Sequence, residues 1–593
     1  MLRLPVLVVA LVAPPAGGVA AEPKDWPTYN ANAEGWRHNR GEVALGKTTI
    51  GRLEEKWRFP AKGSDLKIGT VHATPAVVDG CVYFGTATRP AFYALAPDGT
   101  LKWSCPLPPR VPPGGLKLDR SGRASTEAED KPGVYGSALV TADAVYFADL
   151  GGFLYALDRR TGNEKWKVDT RAAPFPDPHP LNGTFASPIL ADGKVVFAGG
   201  AFEQWQAHQR SYRGCTGRGY LVAVEPQTGK VVWKYDVGPK PAPLDPPITI
   251  KDSWGEHVFH FGPASSTVWS TPSYDAASHT IFFGTDTNNA PRKPTADDPR
   301  LDTRYASAVI AIDARDGSEK WVRQINPGDV WHRGMRAYDP KAGRYLDQSI
   351  GDTPKVYTIE ANGSPVKVVG VGCKNGGFYV LRASDGKVMG NTPVYAGKPA
   401  YPLDPTPDSR MLALPGPLGG LQTGCATDGT HVYTNGLDAL RLGTQESEAA
   451  SMAPPTAGRV VCISADTRSE RWRHERPKTP PAGAGLRLLN KEVGDPVASG
   501  VAVANGVVYF TTTVSKKLIA LDAASGEVLK EIDVGPVWSG PAVSRGRVYV
   551  GTGNTLFSTP GDFTLFPFQP DGAVISLGLP GDDEVSRLGA GNK

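Results

Sequence analysis

The chain has 593 residues with Gly 69 and Pro 54, more than one ordinary core requires and rich in turns. Lys+Arg 64 against Asp+Glu 60 is close to balance and forms no basic run or stripe, which argues against a nucleic-acid partner and for a small or neutral ligand. Six cysteines, Cys81, Cys105, Cys215, Cys373, Cys425 and Cys462, show neither C-x-x-C nor C-x-x-C-H spacing, which speaks against a zinc site and against attached haem.

In chain order, the first element is an apolar run from Leu4 to Ala13 after a single arginine, followed by Val19-Ala20-Ala21. This pattern predicts a secretory leader over residues 1–21, a mature domain over 22–593, and a periplasmic or secreted location. No later apolar stretch has membrane-spanning length, so no membrane span is expected. Next comes "LEEKWRFP", Leu53 to Pro60, a lone strand carrying Trp57. From there a repeat takes over. The unit "YGSALVTADAVYFADLGGFLYALDRRTGNEKWKV", Tyr135 to Val168, reads as four short strands with tight turns, ending on Trp166.

The same grammar ends at Trp103, Trp233, Trp321 and Trp472, and two further copies lack the tryptophan. The last copy, "SGPAVSRGRVYVGTGN…GAVISLGLPG", stops one strand short, and the lone N-terminal strand supplies what is missing. The fold class expected is therefore all-β: an eight-bladed β-propeller of four-stranded antiparallel blades, closed by pairing the N-terminal strand with the last blade, which leaves no exposed edge. The repeat-ending tryptophans are expected to pack between neighbouring blades, and the Gly and Asp of "DRRTG", "DARDG" and "DAASG" to supply positive-φ turns. Three long insertions, Ala201 to Arg218, Asp286 to Thr303 and Gln324 to Pro354, lie in blades three to five, so function is expected there. The segment Pro106 to Pro132 reads as an exposed excursion.

With this repeat on view, four segments resemble site motifs of the exported quinoprotein alcohol dehydrogenases, which bind pyrroloquinoline quinone (PQQ) in an eight-bladed propeller; the polyvinyl alcohol branch is the most similar. "VVFAGGAFEQ…CTGRGYLVAVEPQTG" resembles the stretch whose glutamate binds calcium, which implies that role for Glu203. "FGPASSTVWSTPSYD" resembles the stretch whose tryptophan stacks on the quinone, here Trp269, and "FFGTDTNN" the one whose asparagine is the second calcium ligand, here Asn288. "CKNGGFYVL" resembles the stretch whose basic residue reaches the quinone oxygens, here Lys374.

The chemistry suits those residue types. Oxygen ligands fit Ca²⁺, a Lewis acid toward a quinone carbonyl, a lysine adds charge where an oxyanion develops, and the cofactor carries the redox step. The chain also departs from the pattern. It has no adjacent cysteine pair, it reads Gly284-Thr285-Asp286-Thr287 for G-T-G-N, and it carries His72 where the family has a glutamate ahead of the blade-one "TP". In "INPGDVWHRGM" His332 stands at the position of the family's catalytic aspartate, with Asp329 as the rival base or the orienting partner. The resemblance implies an alcohol substrate, PQQ and Ca²⁺ as cofactors, and an external electron acceptor such as a cytochrome c. The alternative is a non-catalytic propeller serving as a binding or assembly scaffold.

Overall fold

A computed structural model of the chain describes residues 24–108, 133–252, 255–263, 266–332, 338–339, 344–345, 347–394, 419–439, 456–480, 493–555 and 566–581. The leader and nearly all of the excursion after Pro106 lie outside these residues. Eight antiparallel sheets follow one another along the chain, and among the described residues there are two short 3-10 helices and no α-helix.

Blade 2 is typical, with strands Leu139–Val140, Ala144–Ala148, Phe153–Asp158 and Glu164–Asp169 hydrogen-bonded in sequence order. Its second strand, Ala-Val-Tyr-Phe-Ala, is buried at every position, because a neighbouring blade covers each face of the sheet. The last strand is mostly exposed except at Trp166. An all-apolar inner strand and an outer strand with one large apolar residue are what a radial sheet buried at its centre and wet at its rim requires.

The outer tryptophans join blade to blade by a repeated device. Trp57, Trp103, Trp166, Trp233, Trp321 and Trp472 each donate Nε1 to a carbonyl in the last turn of the following blade, at Pro97, Arg159, Pro226, Ala314, Ala383 and Ala523. The glycine of that same turn lies under the indole. Gly317 has φ +77°, and a Cβ there would stand 2.8 Å from the Trp233 ring; Gly162 over Trp103 is equivalent at 2.6 Å. The turn glycine thus meets two demands, a left-handed backbone and room for an indole.

The strand Glu54–Phe59 pairs antiparallel with Val574–Gly578, so the first and last strands of the repeat share one sheet with Ala542–Ser544 and Arg547–Gly551. One buried apolar cluster runs through blades 7, 8 and 1.

Ahead of that strand, residues 26–39 form a strap along the inner edges of the blades, and it meets all eight in order. Trp26 bridges Val77 of blade 1, Pro27 O accepts from Val140 of blade 2, and Thr28 Oγ1 donates to Pro188 O of blade 3. Ala33 O, Glu34 O, Trp36 O and Arg37 O accept the N–H groups of Tyr274, Val356, Thr427 and Val503 in blades 4 to 7, and Asn39 Nδ2 donates to Val543 O of blade 8. The Arg37 side chain is fully buried on the axis. It donates to Tyr29 O, Val501 O, Pro541 O and Thr74 Oγ1.

Among elements that the repeat does not anticipate, the longest is a two-stranded ribbon, Ala242–Asp252 with Gly255–Gly262, between blades 3 and 4. It packs on the Ala201–Arg218 insertion through Phe259, Tyr212, Cys215 and Leu244.

Candidate functional site at the lead-in end of the axis

Each innermost strand is entered through a short segment at the end of the axis away from the strap contacts, and these lead-ins carry His72, Tyr135, Phe185 and Trp269 at matching positions in blades 1 to 4. Blades 5, 6 and 7 have Gly351, Gln422 and Ala498 there. His72 stacks on Tyr135 at 5.3 Å and 7°, and Tyr135 meets Phe185 edge-on at 4.9 Å. Half-buried Trp269 reaches the lead-in of blade 5. A Cβ on Gly351 would lie 2.4 Å from the tip of its ring and 2.8 Å from Gln422 O. Blade 8 has Trp538 at the same position, so rings on blades 8 and 1 to 4 adjoin Gly351, Gln422 and Ala498 on blades 5 to 7.

Lys374 enters between the lead-ins of blades 5 and 6: its N–H donates to Ser349 O, and its carbonyl lies against Gly420. Its Nζ pairs with Asp347 Oδ2 at 3.0 Å. Asp347 has φ +64°, a left-handed conformation costly for a residue with a side chain. It is held there by its N–H, which donates to Asp329 Oδ1 at 2.8 Å. Asp329 itself is buried, and its Oδ2 takes the Ser307 hydroxyl at 2.6 Å and the Gln348 N–H at 2.9 Å. Asp286 completes the group by accepting from Thr267 Oγ1, Ser349 Oγ and its neighbour Thr287 N–H.

Three carboxylates and one ammonium in a small volume disturb proton affinities in a defined direction. Burial, opposed by Lys374 and reinforced by Asp286 and Asp329, pushes the Asp347 carboxyl up to about 7. Burial also raises Asp329, against the pull of its hydrogen bonds. Asp347 is reachable, with 19% of its side chain exposed, whereas Asp329 is 1% and His332 0% exposed.

The residues singled out from sequence are distributed as follows. Trp269, Lys374 and His72 lie at the lead-in end, His72 also bonded to Thr555 Oγ1 at 2.9 Å. Asp329 lies beneath Asp347. His332 is turned away from this group and packs on the ribbon, its ring 4.5 Å from that of His257 and 5.3 Å from that of Phe259. Burial and the neighbouring His257 hold its imidazole down at about 3, so it is neutral at any working pH. The expectation of a base titrating near the ordinary imidazole value therefore does not hold for His332.

Glu203 and Asn288 have separate partners. Both oxygens of Glu203 are engaged by the 215–217 loop: the Cys215 thiol, the Thr216 N–H and hydroxyl, and the Gly217 N–H. Asn288 donates to Ser266 Oγ and accepts from Thr303 N–H. Among the described residues no group of three or more His, Cys, Asp or Glu side chains is arranged to hold a metal ion. What the sequence reading missed is Asp347, which carries no motif. Asp286 was legible only as a departure from G-T-G-N.

The sequence profile of the PQQ family described as "Glucose/ethanol/alcohol dehydrogenase, beta-propeller domain" matches residues 26–394. The chain belongs to this family. Relatives match it along most of its length. It is 25% identical over 567 residues to the quinohemoprotein alcohol dehydrogenase ADH-IIG of Pseudomonas putida, covering 93% of this chain and 68% of that one. It is 25% identical over 554 residues to the polyvinylalcohol dehydrogenase of Sphingopyxis sp. strain 113P3, covering 89% and 72%. The crystal structure of the quinohemoprotein alcohol dehydrogenase of Comamonas testosteroni superposes with a TM-score of 0.65 at 20% identity, over 94% of this chain and 81% of the other. A second profile, that of the outer membrane protein assembly factor BamB, matches residues 456–565.

Proposed function

We propose that the protein is an exported quinoprotein dehydrogenase that oxidises an alcohol with PQQ and passes the electrons to an external acceptor of the cytochrome c kind. The observation that carries this reading is the Trp269 ring against the blade 5 lead-in at Gly351, the lead-in whose Ser349 O also accepts the N–H of Lys374, the partner of Asp347. A flat, anionic quinone fits such a place, since the indole offers a stacking face and the lysine a cation. Trp269, Lys374 and His72 would hold the cofactor, which when bound supplies the two-electron oxidant.

The chain's own groups would do the rest. Trp269 orients, Lys374 keeps negative charge favourable at its tip, and the aromatic arc of Tyr135 and Phe185 keeps water from one side. Calcium at Glu203 and Asn288 does not fit the donor set. A carboxylate has about four acceptor sites, and the loop 215–217 fills them, so no step is derived through that metal.

The test is a spectrum. Periplasmically expressed protein incubated with PQQ, with and without Ca²⁺, should elute with quinone absorbance and reduce a dye when an alcohol is added. Mass spectrometry of the same material should find an N-terminus at Glu22. The competing reading, a scaffold without redox chemistry, is favoured by the BamB profile match and by the engaged Glu203. Protein that excludes the quinone from its elution peak at saturating PQQ decides for the scaffold.

A further inference from the structure

We propose that Asp347, and not His332, takes the hydroxyl proton of the alcohol, with Asp329 as the residue that positions it and Lys374 as its charge partner. This rests on the reading above.

Four observations converge on Asp347. Its carboxylate is at the lead-in end of the axis, 3.0 Å from the ammonium of the lysine whose N–H donates to the lead-in that Trp269 reaches. It is the acid of the group with appreciable exposure, so an alcohol can reach it while Asp329 beneath it stays sealed. Its left-handed backbone is held by a hydrogen bond to Asp329, whose own oxygens are fixed by Ser307 and Gln348; strain kept in place by such a support is typical of a functional position. The charged groups facing it from each element packed on it are Lys374 of blade 5, Asp286 of blade 4 and Asp329 of the connection between them, and these leave it poised near neutrality, where a general base works best.

The proton step balances simply. The alcohol O–H bond breaks, an O–H bond forms on Asp347, and its exposed edge later returns the proton to solvent. The two electrons and the carbinol hydrogen leave with the quinone oxidant. His332 lacks this access, being fully buried against His257 and Phe259.

The experiment begins with the ligand-free full chain. An infrared pH titration should show one protonated carboxyl whose carbonyl band disappears with a midpoint at about 7. Asp347→Asn should remove the band. Lys374→Met should move the midpoint upward, because the ammonium favours the ionised form. In PQQ-loaded protein, alcohol-dependent dye reduction should rise with pH through the same midpoint. Asp347→Asn should lower turnover roughly 100-fold or more while quinone uptake is kept, and Asp329→Asn should lower turnover and move the midpoint. His332→Gln should leave the midpoint where it is.

Parental turnover or an intact band in Asp347→Asn overturns the assignment, and so does a midpoint that moves with His332→Gln alone. A parent that binds no quinone or oxidises no alcohol overturns the dehydrogenase reading itself. The two failures are distinct, because the first is seen only in an active parent.

Discussion

The two ends of the central axis are built from the same eight blades and differ in almost every other respect. At one end a strap of 14 residues, 26–39, touches every blade, and its arginine directs its donors to carbonyls and a hydroxyl. Burial lowers the proton affinity of the Arg37 guanidinium, yet it stays charged, because carbonyl and hydroxyl oxygens accept from it and the Asp352 carboxylate favours the cation. At the other end three carboxylates crowd a single lysine, and one carboxyl is pushed up to neutrality. Left-handed non-glycine backbone occurs at both ends, at Ala31 and Arg37 in the strap and at Ser307 and Asp347 opposite. A buried cation ringed by acceptors marks the end that holds the ring together, and crowded carboxylates mark the end suited to chemistry.

That contrast can be broken in several ways. Deleting residues 22–60 removes the strap and the strand that completes blade 8, exposing sheet edges, and should give aggregated protein; a monomeric deletion mutant with parental melting would remove the strap from the account. Arg37→Met should cost about 4 kcal/mol, since it leaves buried carbonyls without donors. The infrared midpoint at Asp347 should not move in that variant. A shift would mean that the two ends are coupled.

Within the open end, the buried imidazole and the accessible acid should separate on acidification. His332 has a lowered affinity for protons, so the unfolded chain binds more protons than the folded one between about 6.5 and about 3, and stability falls as pH drops through that window. His332→Gln should keep about 4 kcal/mol that the parent loses by pH 3, read from urea melts at each pH. Asp347, with a raised affinity, works in the opposite sense: its contribution falls as pH rises from about 4 to about 7.

Two smaller effects sharpen the reference. Gly317→Ala should cost about 2 kcal/mol, because it strains a left-handed turn and drives a methyl into Trp233; Gly193→Ala, with φ +73° and nothing within 4 Å, should cost about 1 kcal/mol. Trp269→Leu should melt within about 1 kcal/mol of the parent and yet lose quinone uptake. A large loss of stability there would make the ring core rather than platform.

Much of the architecture was legible before any coordinates. The recurrence of an all-apolar short strand, a glycine turn and a terminal tryptophan is a local pattern, and each copy forms a sheet because each strand pairs with its sequence neighbour. The missing last strand was legible too, since a repeat that stops early and a strand without a repeat add up to one blade. Motifs in the sequence singled out Trp269 and Lys374, and both lie at the lead-in end of the axis. It was misread at His332, whose position in "DVWH" matches a motif while its environment is set by a ribbon that the repeat does not announce.

By itself, then, the sequence determined the blades, their number and the face on which insertions gather, because short-range pairing and alternating burial are written in consecutive residues. Only the tertiary structure decided which acid stands beside Lys374. Asp286 comes from one insertion and Asp329 and Asp347 from another, and an aspartate in a loop has no periodicity to mark it. Its proton affinity, exposure and backbone strain arise from groups up to 63 positions apart in the chain, as between Asp286 and Ser349, and exist only once blades 4 and 5 are packed side by side.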